Sequence, residues 1–307
     1  MPKAAEFASL EISRAGKYLD QQQLKDQPIG IFDSGVGGLT VYRALHDRLP
    51  KEHFVYLGDT ARVPYGTKSL ATVERYAVEN SQFLASRGIK MLVVACNTAS
   101  ALALPKIREV TGIPVVGVIG PGGRKAVKVA GVDVQAKIGV IATEATVASG
   151  AYAVAIERAG ARGRVVQTAC PLFVPLAEEG WTEQPETYSI AARYLTEMTQ
   201  FAPDALVLGC THYPILRDVI RQTVGENVTL IDSGEATADE VVEMLSQKEL
   251  LSEREVPEPR SLCDDLDNFY VTDAADRFAR VAERFLGSKP SVLEAVEVFG
   301  TDGMKRN

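Results

Sequence analysis

Residues 205–216 read ALVLGCTHYPIL. The opening ALVLG is a short, unbroken apolar run, the mark of a strand buried on both faces. It stops at Cys210-Thr211-His212, three side chains that transfer protons or donate hydrogen bonds, and Pro214 behind them is well placed to open a helix. Reactive side chains just past the carboxyl end of a buried strand are where open α/β sheets keep their ligands. Residues 91–101, MLVVACNTASA, repeat the pattern: an apolar strand, one small residue, a cysteine, then a polar pair. Cys96 and Cys210 therefore occupy matching local contexts, which predicts two similar halves facing each other.

The rest of the chain extends this alternation in both directions. IGIFDS after Pro28 reads as a strand, and GVGGLTVYRALHDRL turns through glycines into an amphipathic helix. HFVYLGD is a strand, and residues 69–87 repeat apolar groups at helical spacing up to the stop signal Arg87-Gly88. The GPGG at 120–123 is read as a loop crossing into the second half. KIGVIA and RVVQTA are strands, residues 146–160 a helix, CPLFVPLAEEG a loop, and VTLIDSGEAT a further strand-to-loop unit. SEREVPEPRS is a charged linker, and NFYVTD with the helix ending at Leu286 is a last βα unit returning to the first half. Such alternation predicts an α/β protein of two doubly wound, mostly parallel-sheet domains of pseudo-twofold similarity, with the site in the cleft between them. The expected boundaries are an N-terminal extension over 1–27, a discontinuous first domain over 28–120 and 232–286, a second domain over 121–231, and a tail over 287–307. In the extension, Leu10, Ile12 and Leu24 give weak helical spacing for a loosely docked helix; in the tail, SVLEAVEVF is the segment able to dock.

Composition sets the outer limits. A chain of 307 residues is long enough for two cores, and 46% apolar with 24% charged residues is ordinary globular usage. A net charge of −7, from 40 acidic and 33 basic residues, argues against a general nucleic-acid or acidic-membrane binder. An anionic small substrate stays open, because helix amino ends and backbone amides make a site locally positive. No apolar run approaches the ~20 residues of a membrane span, and the N-terminus has no hydrophobic signal core, so a cytoplasmic protein is expected. Four cysteines without a CxxC pair suggest neither a disulfide framework nor a zinc site. Reduced thiols and no metal are the expectation.

The chemistry is sought first in Cys96 and Cys210. A free thiol titrates at about 8.5, and its surroundings can lower that, so thiol and thiolate serve as acid and base near neutral pH. Two cysteines facing one carbon from opposite sides would remove a proton on one face and deliver one on the other, inverting the centre. The alternative, a small buried hydrophobe, is weakened because both sit at strand ends before hydroxyl or amide donors; Cys170 and Cys263 lack that setting and are read as structural. The glycines in IFDSGVGG fail the dinucleotide fingerprint, since position 40 is threonine, and no Walker lysine follows. The turn still offers backbone amides to a carboxylate. Asp33 is either a proton-transfer partner or, with Ser34, a helix cap, and residue type favours the cap. Pro64-Tyr65-Gly66 at a strand end either points into a cleft or caps the core. His212 either tunes the Cys210 thiol or lies at a surface. Glu178, in a mostly apolar loop, is expected to have a raised pKa; Glu179 is read as solvated.

Taken together, IFDSGVGGLTV, YLGDTARVPYG, VVACNTASA, CPLFVPLAEEG and LVLGCTHYPIL, in this order, resemble the bacterial glutamate racemases of the aspartate/glutamate racemase family. The resemblance runs from about Pro28 to Leu286, and the CNT and CTHYP segments are its specific part. It implies interconversion of L- and D-glutamate without a cofactor, the D-enantiomer serving peptidoglycan synthesis. It also implies that Cys96 and Cys210 are the acid/base pair, with Asp33 supporting Cys96, and Glu178 and His212 supporting Cys210. Asp33 with Ser34, Pro64 and Tyr65 with Gly66, Asn97 with Thr98, and Thr211 with His212 match the substrate-binding segments. Thr143 and Thr146 match less closely, since Ala142 stands where glycine is expected. The partners expected are glutamate and a second copy of the chain as a homodimer. Activation by a peptidoglycan precursor and contact with DNA gyrase are known of some relatives, and no residue here discriminates them. With no cofactor evident, catalysis has to come from positioning and from dipoles aimed at a carbanion in a drier cleft, which predicts a hinge between the domains.

Overall fold

Parallel strands carry the architecture of the computed structural model, which describes residues 20–257 and 259–298. The first sheet contains β1 (Ile29–Asp33), β2 (Phe54–Gly58), β3 (Met91–Val94), β4 (Val115–Gly117), β9 (Asn268–Val271) and β10 (Leu293–Ala295), in the order β10-β9-β2-β1-β3-β4. The second contains β5 (Lys137–Ala142), β6 (Arg164–Ala169), β7 (Ala205–Gly209) and β8 (Thr229–Asp232), in the order β6-β5-β7-β8. Each strand pairs in parallel with its neighbours. The fold is α/β, with two parallel sheets as the alternation requires.

Strands β1 to β4 and β7 are buried end to end because helices cover both faces. Side chains alternate: Ile29, Ile31, Met91 and Val93 enter one core, while Phe32, Leu92 and Val94 enter the other. In the second sheet Leu206 and Leu208 join the first of these cores, and Val140 and Val207 a third. One hydrophobic core thus reaches across both sheets.

Strand order decides where a ligand can sit. In the first sheet β1 lies between β2 and β3, so the chain leaves β1 to one side and later returns to the other. In the second sheet β5 lies between β6 and β7 in the same way. Such switch points open a crevice beyond the strand carboxyl ends. Asp33 ends β1, and Cys96 lies just past β3. Thr143 follows β5, and Cys210 follows β7. Both cysteines stand at the switch point of their own sheet.

Several local expectations need correction. The GPGG at 120–123 is no loop: it lies inside the helix Ile119–Ala130. Pro121 is tolerated because the first helical turn has no partner for its N–H groups. A Cβ on Gly123 would lie 3.1 Å from the Cβ of Ala155, so the glycines let this helix press closely against Ala151–Arg158. CPLFVPLAEEG likewise contains a helix, Phe173–Glu179, with Pro175 in its first turn. The expected helix over 146–160 is two, Glu144–Ser149 and Ala151–Arg158, separated by Gly150 at φ 65°. The tail contributes β10 to the edge of the first sheet, pairing with β9. Leu10 and Ile12 lie outside the described residues, and Leu24 falls in a short helix, Gln21–Lys25.

Candidate active site

Cys96 and Cys210, one from each sheet, line a single cavity of about 160 Å³. With them in its wall are Ser34, Tyr65, Gly66, Asn97, Thr98 and Thr143, and also Pro64, Glu178, Thr211 and His212. Two residues named from sequence, Asp33 and Thr146, lie outside that lining. Asp33 is buried, and its carboxylate accepts from the Gly35 N–H at 2.9 Å. The amides of Gly38 and Ser34 act on the same carboxylate, so the glycine turn spends its donors on its own aspartate. Thr146 stands behind Thr98 and Thr143, with hydroxyl contacts at 3.2 and 3.0 Å.

The two thiols have different surroundings. Cys96 caps the helix Asn97–Leu102, and its thiol donates to Ser34 Oγ at 3.4 Å. Burial, and after it the charge of Asp33, push this thiol up to about 12. Desolvation disfavours the Cys96 thiolate more than its one hydroxyl and one amide neighbour favour it. Cys210 instead has the His212 ring beside it, Sγ to Nδ1 3.8 Å, and His212 Nε2 meets Glu178 Oε1 at 3.1 Å. Burial alone would strip the imidazole of its proton. The bonds to Cys210 and Glu178 outweigh it, and the ring is pushed up to about 10. His212 thus sits between the Cys210 sulfur and the Glu178 carboxylate, and both neighbours favour its protonated form.

Glu178 corrects a second expectation. Its apolar surroundings do raise it, but the hydrogen bond from His212, then the charges of His212 and Arg277, win, and the carboxyl sits below its usual range. Arg277 donates to Glu178 Oε2 at 2.9 Å.

Neighbouring groups hold the remaining wall. Tyr65 turns its hydroxyl away from the cavity to donate to Asp59, whose carboxylate also receives Asn80 Nδ2 at 3.1 Å and Arg62 Nε at 2.7 Å. Asn97 Oδ1 accepts from Tyr152 Oη at 2.7 Å, leaving its buried Nδ2 without a partner among the described residues. A buried amide N–H₂ in a cavity wall is a donor waiting for an acceptor. Gly37 has to be glycine: a Cβ there would meet Thr211 Oγ1 at 2.3 Å and His212 Nδ1 at 2.4 Å. Sequence reading missed Tyr152, Val63, Thr67, Val174 and Pro175; the last two sit in an apolar stretch that resembles ordinary core. Among the described residues no group of three or more His, Cys, Asp or Glu is placed to hold a metal ion, and no helix is long and apolar enough to cross a membrane.

Two thiols on opposite sheets, with hydroxyl and amide groups and an imidazole beside them, form an arrangement able to exchange protons with a carbon acid. Comparison with known proteins agrees. The glutamate racemase of Geobacter metallireducens is 52% identical over 261 residues, covering 85% of this chain and 93% of its own. A crystal structure of glutamate racemase isoform RacE1 from Bacillus anthracis matches with a TM-score of 0.83 and 38% identity, over 89% of this chain and 98% of that one. The Francisella tularensis glutamate racemase, solved in complex with D-glutamate, matches with a TM-score of 0.80 and 37% identity, over 89% and 98%. The Asp/Glu/Hydantoin racemase family model matches residues 29–241, and the chain belongs to that family.

Proposed function

We propose that this protein interconverts L- and D-glutamate by proton transfer at Cα between Cys96 and Cys210, supplying D-glutamate for peptidoglycan. The observation that carries the reading is the placement of both thiols in the wall of one cavity, each at the switch point of its own sheet. In one direction the Cys210 sulfur, with the His212 ring beside it, takes the α-proton as the C–H bond breaks. Cys96, which rests as a thiol, delivers its proton to the other face of the same carbon. The reverse reaction exchanges the two roles. The Cα hydrogen is very weakly acidic, so the developing carbanion and the substrate carboxylates need fixed donors in a site shielded from water. Asn97 Nδ2 and the hydroxyls of Ser34, Thr98 and Thr211 are suited to that task, and among the described residues no lysine or arginine lines the cavity.

The division into 28–120 with 232–286 and 121–231 belongs to the same proposal, as two lobes that close over the substrate. So do a cytoplasmic location, which four free thiols suit, a homodimer, and activation by a peptidoglycan precursor. Sedimentation velocity and assays with added precursor read out the last two.

The deciding experiment is racemisation of glutamate in heavy water, followed by chiral analysis and by mass. Wild-type protein should exchange the α-hydrogen for deuterium while scrambling configuration. Cys96→Ala and Cys210→Ala should each lower kcat by roughly 10²–10⁴, the usual worth of a general acid or base. Full turnover in both variants would end the two-thiol reading. Faster turnover of another acidic amino acid in a substrate panel would overturn the assignment to glutamate.

A further inference from the structure

Glu178 is held from two directions. One carboxylate oxygen receives His212 Nε2 at 3.1 Å, and the other receives the Arg277 guanidinium at 2.9 Å. Arg284 of the same helix, Ala275–Leu286, donates to the Glu178 backbone carbonyl at 2.7 Å. Phe285 sets its ring edge-on against His212, with centroids 5.9 Å apart. Arg277, Arg284 and Phe285 are spaced seven and eight residues apart, two helical turns, and so share one helix face. That helix follows β9 of the first sheet, whereas Glu178 and His212 follow β6 and β7 of the second. A second cavity of about 40 Å³ lies under the contact, bounded by Arg277 and Phe278 and sharing Gly35, Val63 and Glu178 with the active-site cavity.

We propose that Arg277 is a positioning residue for the reaction, tying the helix Ala275–Leu286 to Glu178 across the cleft and so fixing the carboxylate that orients His212 on Cys210. The inference rests on the racemase reading above. A carboxylate bonded at both oxygens has one orientation; freed at one, it can rotate and carry the imidazole off the sulfur. The charged and titratable groups facing this unit are Cys210 and Asp33 toward His212, and Arg277 and Arg284 toward Glu178. Arg277 itself is half-exposed and bonds neither thiol, so its effect has to pass through Glu178.

That route makes a double-mutant cycle decisive. Arg277→Gln should lower kcat/KM on the order of tenfold, the worth of one charge-assisted hydrogen bond. Glu178→Gln should cost more, and Arg277→Gln should cost almost nothing when added to Glu178→Gln. Arg277→Lys, which keeps a cation within reach, should recover part of the loss. Removing the arginine charge also lets the Glu178 carboxyl rise, so the acid limb of the kcat/KM profile should move to higher pH in Arg277→Gln. Costs that simply add, or a folded Arg277→Gln protein with wild-type kcat/KM and pH profile, would overturn the role while leaving the racemase intact. A wild-type protein that does not turn over glutamate would remove the reading of the site and this role with it.

Discussion

Cys96 and Cys210 are the same residue type at equivalent strand ends, yet the chain gives them opposite companions. Cys96 faces a carboxylate, and burial together with that charge pushes its thiol up to about 12. Cys170 and Cys263, also buried, are pushed up to about 12 as well. Cys210 alone has the His212 ring against its sulfur. Alkylation of the resting protein with iodoacetamide near pH 7 should therefore spare Cys96, Cys170 and Cys263, whose raised thiols supply little of the nucleophilic thiolate. Labelling of Cys96 should grow only as pH climbs toward about 12, since a raised thiol gives up its proton late. Peptide mass mapping reads this directly; ready labelling of Cys96 at pH 7 would contradict it. The pairing of the two cysteines was legible from matching strand–cysteine–polar runs. Their inequality was legible only in part, from His212 two residues after Cys210; Asp33 and Glu178 lie far away in sequence and reach the Cys96 and His212 side chains only through the fold. Glu178 shows the limit most plainly: an apolar neighbourhood in sequence predicts a raised carboxyl, while His212 and Arg277, brought in by other segments, reverse the sign.

Among the elements, those at the carboxyl ends of the strands build the site, and those at the amino ends hold the first sheet together. Lys90, just before β3, pairs with Glu52 at 2.6 Å with both side chains buried. It also donates to the carbonyls of Lys25 at 2.7 Å and Leu250 at 2.8 Å, while Glu52 receives the Ser252 N–H at 2.9 Å. One ion pair thus pins the helix Gln21–Lys25 and the 250–252 segment to the sheet. Lys90→Met would leave the Glu52 carboxylate buried and unpaired, a loss of about 3–5 kcal/mol. Adding Glu52→Gln should recover part of it, and kcat should hold because Cys96 lies past the opposite end of β3. Urea unfolding of the single and double variants checks both; a shift in kcat as large as the shift in stability would show that this end is not independent of the site. Elements were read well from sequence where a strand was apolar end to end, as in ALVLG and MLVV. They were misread where proline and glycine sat in the first turn of a helix, as in GPGG and LFVP. Both residues signal a turn locally, and only packing against Tyr152 and Ala155 shows that the glycines serve close helix contact.

At the scale of the molecule, the two sheets present their carboxyl ends to one another, and polar contacts span the gap on both sides of the cavity. Thr98 touches Thr143 at 3.0 Å and Thr146 at 3.2 Å, Tyr152 donates to Asn97 at 2.7 Å, and Thr40 donates to the Thr211 carbonyl at 2.9 Å. Arg277 and Glu178 add a charged link. One apolar core also runs across both sheets, so motion should concentrate at the cavity, where the facing groups are hydroxyls and charges rather than packed apolar side chains. A closed cleft excludes water and strengthens every dipole aimed at the carbanion, which ties closure to rate. Saturating glutamate should therefore slow amide exchange in the segments that meet across the gap, 60–67 and 143–149, and leave the strands unchanged. Thr143→Val removes a hydroxyl from the Thr98–Thr146 cluster without removing a donor that reaches a thiol. If closure is part of binding, the variant should raise KM several-fold with little change in kcat, the signature of binding energy lost equally from ground and transition states. Exchange rates that ignore glutamate, in a protein that still racemises it, would mean the cleft is set before substrate arrives and the hydroxyl cluster only braces it.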